Sequence, residues 1–444
     1  MSKAKTGNQK KTWKRVNNPL GWLVPGLGVK RWMLIILLGI TLLAVGLAFL
    51  LLEVYRTAPD TWWLPILSTA SLRALSRPVR VLIFGGIGVG LLLLGIWGIN
   101  RSLLAPYRRS GKPMLDELTD HRRKERGPRI VAIGGGHGLA TLLRGLKSHS
   151  YNITAVVTVA DDGGSSGRIR RAKGIPPPGD IRNCLAALSS DEALMTQLFQ
   201  YRFTDTSDEL NGHPFGNLFI SALSEITGSF EEAVVESGKV LAVQGKVIPA
   251  TLHDVRLVAD VQLPHNIGEV RVEGESSIPT FPGDVRRVWL EPNNPAAYPL
   301  AIQAILAAEL IVVGPGSLFT SILPNLLVPD IAAAIRASRA LKIYVCNVAT
   351  QLGETEGYSC EDHVKVISDH VGTTLFDLVV TNDNFEAQLP PGTDWVKTTP
   401  EQELEVPIYR ANFADTIQPW RHDSSKLART LVDLYQERTG PLVE

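Results

Sequence analysis

Two uninterrupted apolar runs open the hydropathy pattern, Trp32 to Leu52 and Val81 to Ile99, 21 and 19 residues without a charge. At about 1.5 Å per helical residue, each is long enough to cross a hydrocarbon core of about 30 Å. Residues 32–100 are therefore expected to form a two-helix transmembrane hairpin, with spans at about 32–52 and 81–99 and a short outside loop. A cleavable leader is the competing reading of the first run. That run is longer than a leader's usual apolar region, however, and Leu50-Leu51-Leu52-Glu53 offers no small-residue cleavage site. Gly86 and Gly90 stand in the GxxxG spacing that lets membrane helices pack closely.

From Arg129 the pattern becomes a repeat of short apolar run, glycine-rich turn and helix with one apolar stripe. "RIVAI" predicts a buried strand, "GGGHG" a turn, "LATLLRGLKS" a helix and "NITAVVTVA" a second strand. Helical spacing recurs at Ile181 to Ser189, Asp191 to Tyr201, Gly216 to Ile226 and Phe230 to Ala242. Strand-like runs separated by Pro, Gly and Asn then predict a β-rich insertion at about 246–290. The alternation resumes with "YPLAIQAILAAE", "LIVVG", "SLFTSILPNLL" and "KIYVCNV", and "LFDLVVTN" reads as the last strand. Asp423 to Glu437 reads as an amphipathic terminal helix. This predicts an α/β domain over 129–444, a mostly parallel sheet with helices on both faces. Ligands in such sheets sit outside the carboxyl ends of the strands.

Charge orients these parts. Met1 to Arg31 holds eight Lys/Arg and no acid, and Arg101 to Arg129 holds nine against four acids. The stretch from Glu53 to Arg80 has only four Arg and two acids. The positive-inside bias predicts a multi-pass protein of the cell membrane with both termini and the main domain cytoplasmic. Residues 1–31 would be a basic tail and 101–128 a basic juxtamembrane linker, solvated or lying on anionic lipid. Cys184, Cys346 and Cys360 form no CxxC pair, and their odd count fits a reducing compartment. No HxH or HExxH pattern occurs, nor an aromatic-laced basic patch for nucleic acid.

Three strand ends carry candidate chemistry. In "AIGGGHG", Gly134, Gly135, Gly136 and Gly138 permit a tight turn before a helix whose first amides would face a phosphate. The alternative is a turn that needs glycine for sterics alone. In "VTVADDGGSSGRIRRAKGIPPPGD", Asp161 and Asp162 follow a strand, suited to Mg²⁺ with substrate phosphates or to sugar and base hydrogen bonds. Arg168 and its basic neighbours would neutralise phosphate, and Asp180 would N-cap the helix carrying Arg182 and Asn183. The alternative is that the aspartates cap a turn and the arginines are merely solvated. In "VVGPGSLFTSILPN", Gly314, Gly316 and Ser317 form a second small-residue turn. Asn217, Asn347, Thr350 and Gln351 lie in nearby polar loops, and His213 is either an acid–base group or structural.

The blocks "AIGGGHGLATLLRGLK", "TVADDGGSSGRIRR", "PPGDIRNCLAAL", "GHPFGNLFISAL", "GPGSLFTSILPNLLV" and "YVCNVATQLGETEGYS" closely resemble the YvcK-type gluconeogenesis-factor family. That family is related to CofD, the 2-phospho-L-lactate transferase. The resemblance implies a Rossmann-like CofD-type fold and a UDP-sugar ligand, UDP-N-acetylglucosamine in particular. It also implies a regulator tied to gluconeogenic growth, cell shape and peptidoglycan precursor supply. It places the ligand at the Gly134–Gly138 turn, the Asp161–Asp162 loop and the Gly314–Ser317 turn. The expected ligand set adds His137, Ser165, Ser166, Arg168, Asp180, Asn183, Asn217, Asn347 and Gln351. His137 stands where the family often has Thr, and its imidazole is expected to titrate near neutral pH. The rival expectation is a CofD-like transferase moving a phospho-organic group from a nucleotide diphosphate donor. Asp161 and Asp162 would then be the catalytic and Mg²⁺-binding candidates. A homo-oligomer and protein partners in cell-wall precursor synthesis complete the picture.

Overall fold

A computed structural model describes residues 114–190, 192–204, 210–266, 268–399 and 404–439, with scattered helical positions between 37 and 93. The chain divides into two units, Met1–His121 and Arg122–Glu444. The expected spans at 32–52 and 81–99 and the basic tail at 1–31 lie mostly outside the described residues. Among the described residues no single helix is long and apolar enough to cross a membrane. One bent pair, Leu318–Leu326 with Pro329–Ala337 at 73°, passes by length and composition, but its apolar residues are buried in the domain core. Part of the expected linker is a helix, Met114–Glu125.

In the second unit the apolar runs become strands because both of their faces are covered. In β1 (Ile130–Gly134), Val131 and Ile133 pack into one core, while Ile130 and Ala132 pack into the other. The same alternation splits β7 (Leu310–Val313). With β2 (Ile153–Val157), β3 (Lys246–Pro249), β8 (Leu341–Val345), β9 (Leu378–Asn382) and β10 (Ile408–Ala411), they form a seven-stranded sheet. Its order is β10-β9-β8-β7-β1-β2-β3, and every pairing is parallel. Helices Gly136–Leu146, Gly179–Leu188 and Ser424–Thr439 cover one face, and Pro299–Ala307, Pro329–Ala337 and Cys360–Val371 the other. The chain runs outward from β1 to β3, then returns to β7 on the opposite side of β1. The order therefore reverses between β1 and β7, and a crevice opens at their carboxyl ends.

Four expectations need correction. "GKVIP" belongs to the main sheet as β3, so the insertion proper is the antiparallel sheet of β4 (Arg256–Gln262), β5 (Glu269–Glu273) and β6 (Asp284–Glu291). "GSSGRIRRAK", read as loop, is the helix Gly164–Lys173. Its glycines disfavour a helix, but Ser165, Ser166, Gly167 and Ile169 are buried and Gly174 closes it in the left-handed conformation. Packing overrides propensity there. β9 is not the last strand, because the four residues of β10 pair beside it. "SLFTSILPNLL" begins as a π-helical turn, Leu318–Ile322, before Leu323–Leu326. The three cysteines are buried and free.

Candidate functional site

The turn after β1 leads directly into the helix Gly136–Leu146, whose N-cap, Gly135, has no side chain to satisfy the first amides. Gly136 adopts φ +61°, a left-handed conformation that L side chains rarely take. The missing cap comes from elsewhere: the Asp180 carboxylate accepts the Gly136 N–H. Asp180 therefore does not N-cap its own helix, where Pro178 is the cap residue. It sits instead against Gly135, where a Cβ would fall 2.6 Å from its Oδ2.

The turn after β7 packs against the first one. A Cβ on Gly138 would lie 2.4 Å from the Pro315 carbonyl oxygen and 2.9 Å from Gly316 Cα, so the two backbones approach only because glycine stands at 138. Asn325 Nδ2 ties the turns together by donating to the Gly134 carbonyl at 3.0 Å and the Ser321 carbonyl at 2.7 Å. The Asn347 amide pairs with both polar groups of Gly316, accepting its N–H at 3.2 Å and donating to its carbonyl at 2.9 Å. Ser317 Oγ donates to Gln351 Oε1 at 2.8 Å, and Gln351 Nε2 donates to Glu354 Oε1 at 3.0 Å. Glu354 also accepts from Thr320 Oγ1 and from the Phe319 N–H, which caps the π-helical turn.

Between these turns lies a cleft of about 600 Å³, within the range of small-molecule sites. It is electrically lopsided. At one end Asp161, Asp180 and Glu275 converge. Burial drives all three carboxyls up, Asp161 included, and repulsion from neighbouring acids adds to it at Asp180, raised to about 6, and at Glu275, raised to about 8. Glu354, buried behind the second turn, is pushed up to about 7 by burial. Leu352, Trp420 and Arg421 also line the cleft. His137 is held below its ordinary value by burial and then by Arg421, Arg182 and Arg144, which favours the neutral imidazole.

Residues 130–436 match the family described as 2-phospho-L-lactate transferase CofD. A relative from Nostoc sp. named as a gluconeogenesis factor is 46% identical over 96% of this chain and 95% of its own. The gluconeogenesis factor of Bacillus subtilis is 46% identical over 70% of this chain and 99% of its own. A crystal structure from Bacillus halodurans, of a protein in the UPF0052 family, superposes with a TM-score of 0.63 at 41% identity, covering 69% of this chain and 99% of that one. The chain belongs to the CofD family. Within it the gluconeogenesis factors are its relatives. The length of the Nostoc match means that the apolar N-terminal third is not peculiar to this chain, although the shorter relatives lack it.

Of the residues expected to hold a ligand in this CofD-family protein, the cleft brings together Gly135, Gly136, His137, Gly138, Asp161, Asp180, Gly316, Ser317, Asn347 and Gln351. Gly134 and Gly314 lie behind the turns. Ser166 is buried and its side chain hydrogen-bonds Asp161, while Ser165, Asn183 and Asn217 are buried in a polar cluster built around Arg182. There Arg182 donates to Asn217 Oδ1 at 3.1 Å and Asn183 Oδ1 at 3.0 Å, Asn217 donates to Ser165 Oγ at 3.0 Å, and Ser165 Oγ contacts His213 Nδ1 at 2.8 Å. His213 is thus tied into structure. Arg168 faces away and donates to the Asn211 carbonyl. Asp161 and Asp162 diverge, Asp161 Oδ1 accepting from the Gly163 N–H and Asp162 Oδ1 from the Ser276 N–H 114 residues on. Sequence reasoning missed Glu275, Trp420 and Arg421. "PWRHD" carried a signal, a Trp-Arg pair just before the terminal helix; Glu275, one acid in a polar turn, carried none.

Proposed function

We propose that the cleft binds a nucleotide-diphosphate sugar, UDP-N-acetylglucosamine first among them. On this reading the protein is a membrane-tethered regulator coupling gluconeogenic carbon supply to cell shape and peptidoglycan precursor synthesis. One observation supports it most: two glycine turns meet at the point where strand order reverses, and one of them opens a helix whose first three residues, Gly136, His137 and Gly138, line the cleft. Backbone amides at a helix start suit a diphosphate, Trp420 offers an aromatic face to a base, and the carboxyl-rich end suits sugar hydroxyls. The gluconeogenesis-factor relatives support the link to gluconeogenic carbon, the family resemblance of the sequence blocks implies the link to cell shape and peptidoglycan, and the two charge-free runs with basic flanks support the membrane tether.

The test is thermal stabilisation against UDP-N-acetylglucosamine, UDP-glucose, UDP, GTP and NAD, each with and without Mg²⁺, with mass spectrometry of the recovered ligand. A ligand at a hundred times its Kd should stabilise by about 2.7 kcal/mol. The reading requires a rise in Tm with the UDP-sugars and their recovery intact. A response confined to GTP or NAD would refute it.

The second reading is a transferase, favoured by the family's description and by the carboxylates at one end of the cleft. Among the described residues no group of three or more His, Cys, Asp or Glu is arranged to hold a metal. Mg²⁺ commonly takes one or two carboxylates and completes its shell with water and phosphate oxygens. Asp161 and Asp180 fit that use, and the ion would neutralise charge on a departing diphosphate. Donor consumed in the presence of Mg²⁺ and an acceptor would favour this reading over the first.

A further inference from the structure

The antiparallel insertion reaches the cleft at a single turn, between β5 and β6. There Gly274 adopts φ +101° and its N–H donates to the Leu257 carbonyl at 2.8 Å. The Ser277 and Ile278 amides close back on the Gly274 carbonyl at 3.1 and 3.3 Å, and Ile278 is fully buried. This anchors the turn to its own sheet and core. What holds it over the cleft is Asp162. Its Oδ1 accepts the Ser276 N–H at 2.9 Å, and its Oδ2 sits so close to Gly274 that a Cβ there would fall 2.3 Å away. The turn also packs on the β2 loop, where a Cβ on Gly163 would lie 3.2 Å from Ser276 Cβ. Asp162 does not line the cleft, but Glu275, held between the two residues it grips, does.

We infer that Asp162 is a positioning residue that clamps the Gly274–Ser277 turn across the carboxyl end of β2, so that the insertion supplies Glu275 as a ligand-facing wall. Three carboxyl groups from three separate elements then face one end of the cleft: Asp161 from the β2 loop, Asp180 from the helix Gly179–Leu188, and Glu275 from the insertion. That end takes a neutral, hydroxyl-rich group and rejects an anion. This ligand assignment rests on the nucleotide-sugar reading above; the clamp does not. The sugar would then lie beneath Glu275.

The experiment compares the full-length wild type with Asp162→Ala, Asp162→Asn and Glu275→Ala. Amide hydrogen exchange is followed without ligand, and binding is measured for UDP, UDP-glucose and UDP-glucuronate. Asp162→Ala should speed exchange across residues 274–278 and weaken UDP-glucose roughly tenfold, the effect of losing about one hydrogen-bonded group. Asp162→Asn keeps an acceptor oxygen for the Ser276 N–H and should restore both. Glu275→Ala should weaken UDP-glucose by a similar factor while leaving UDP unchanged, and the wild type should bind UDP-glucuronate at least tenfold more weakly than UDP-glucose. Unchanged exchange in Asp162→Ala would overturn the clamp. Loss of binding in Asp162→Asn as complete as in Asp162→Ala would show that the charge acts directly on ligand or metal, and would overturn it too. If the wild type bound no UDP compound, the nucleotide-sugar reading would fall with the ligand assignment, and the exchange comparison would still decide the clamp.

Discussion

Replacing Gly138 with alanine should lower stability by about 1–2 kcal/mol and abolish measurable ligand binding, although alanine is the better helix former. A single methyl would have to fit 2.4 Å from the Pro315 carbonyl oxygen, 2.7 Å from its carbon and 2.9 Å from Gly316 Cα. All three neighbours are main-chain atoms, so no side chain can swing aside. Overpacking of this kind typically costs 1–3 kcal/mol, and the gain in helix propensity, about 1 kcal/mol, offsets only part of it. Relief requires the turn after β1 to move away from the turn after β7. That movement strains the Asn325 bridge to the Gly134 carbonyl. In a domain of this size Tm should fall by several degrees. Gly134→Ala is the control, because its Cβ would meet only ordinary contacts, the nearest being Leu139 Cβ at 3.7 Å. A Gly138→Ala protein that melted and bound like the wild type would mean that the two turns do not form one wall.

These two glycines show what the sequence could and could not reveal. Both belong to one run, "GGGHG", and from sequence alone they carry equal weight; only the β7 turn, more than 170 residues on, distinguishes them. The strands were legible because burial on both faces leaves an apolar run without alternation, as in Ile130 to Ile133 and Leu310 to Val313. The strand-end turns were legible because close backbone approach demands small residues. The crossover that places β7 beside β1 left no local trace, and the crevice depends on it. Asp162 and Asp180 were conspicuous as acids near glycine, but their partners, Ser276 and Gly136, are 114 and 44 residues away. Their work on the insertion turn and on a neighbouring helix was therefore hidden. Local pattern reports what a segment buries, and long-range pairing decides what its polar groups hold.

Asp180→Asn should leave stability near wild type at pH 4 and raise it by roughly 2–3 kcal/mol at pH 8. The Asp180 carboxyl is raised from 3.8 to about 6 by burial and then by Asp161, the Gly136 N–H opposing both. A raised carboxyl contributes stability below its unfolded value, and that contribution is lost as pH rises through its folded value. For Asp180 the loss falls between about pH 4 and 6, and two units correspond to about 3 kcal/mol. Asparagine carries no charge in either state, and its amide oxygen still accepts the Gly136 N–H. Removing this charge also eases Glu275, which counts Asp180 among the groups that push it to about 8. The wild type should therefore lose Tm between about pH 4 and 6, and the variant should lose less; parallel melting curves across that range would contradict the assignment. A carboxylate that makes the free protein less stable at neutral pH is best explained by its use on a ligand. The same variant should thus be the more stable protein and the poorer binder, and measuring both in one preparation separates a functional carboxylate from a helix cap that asparagine serves equally well.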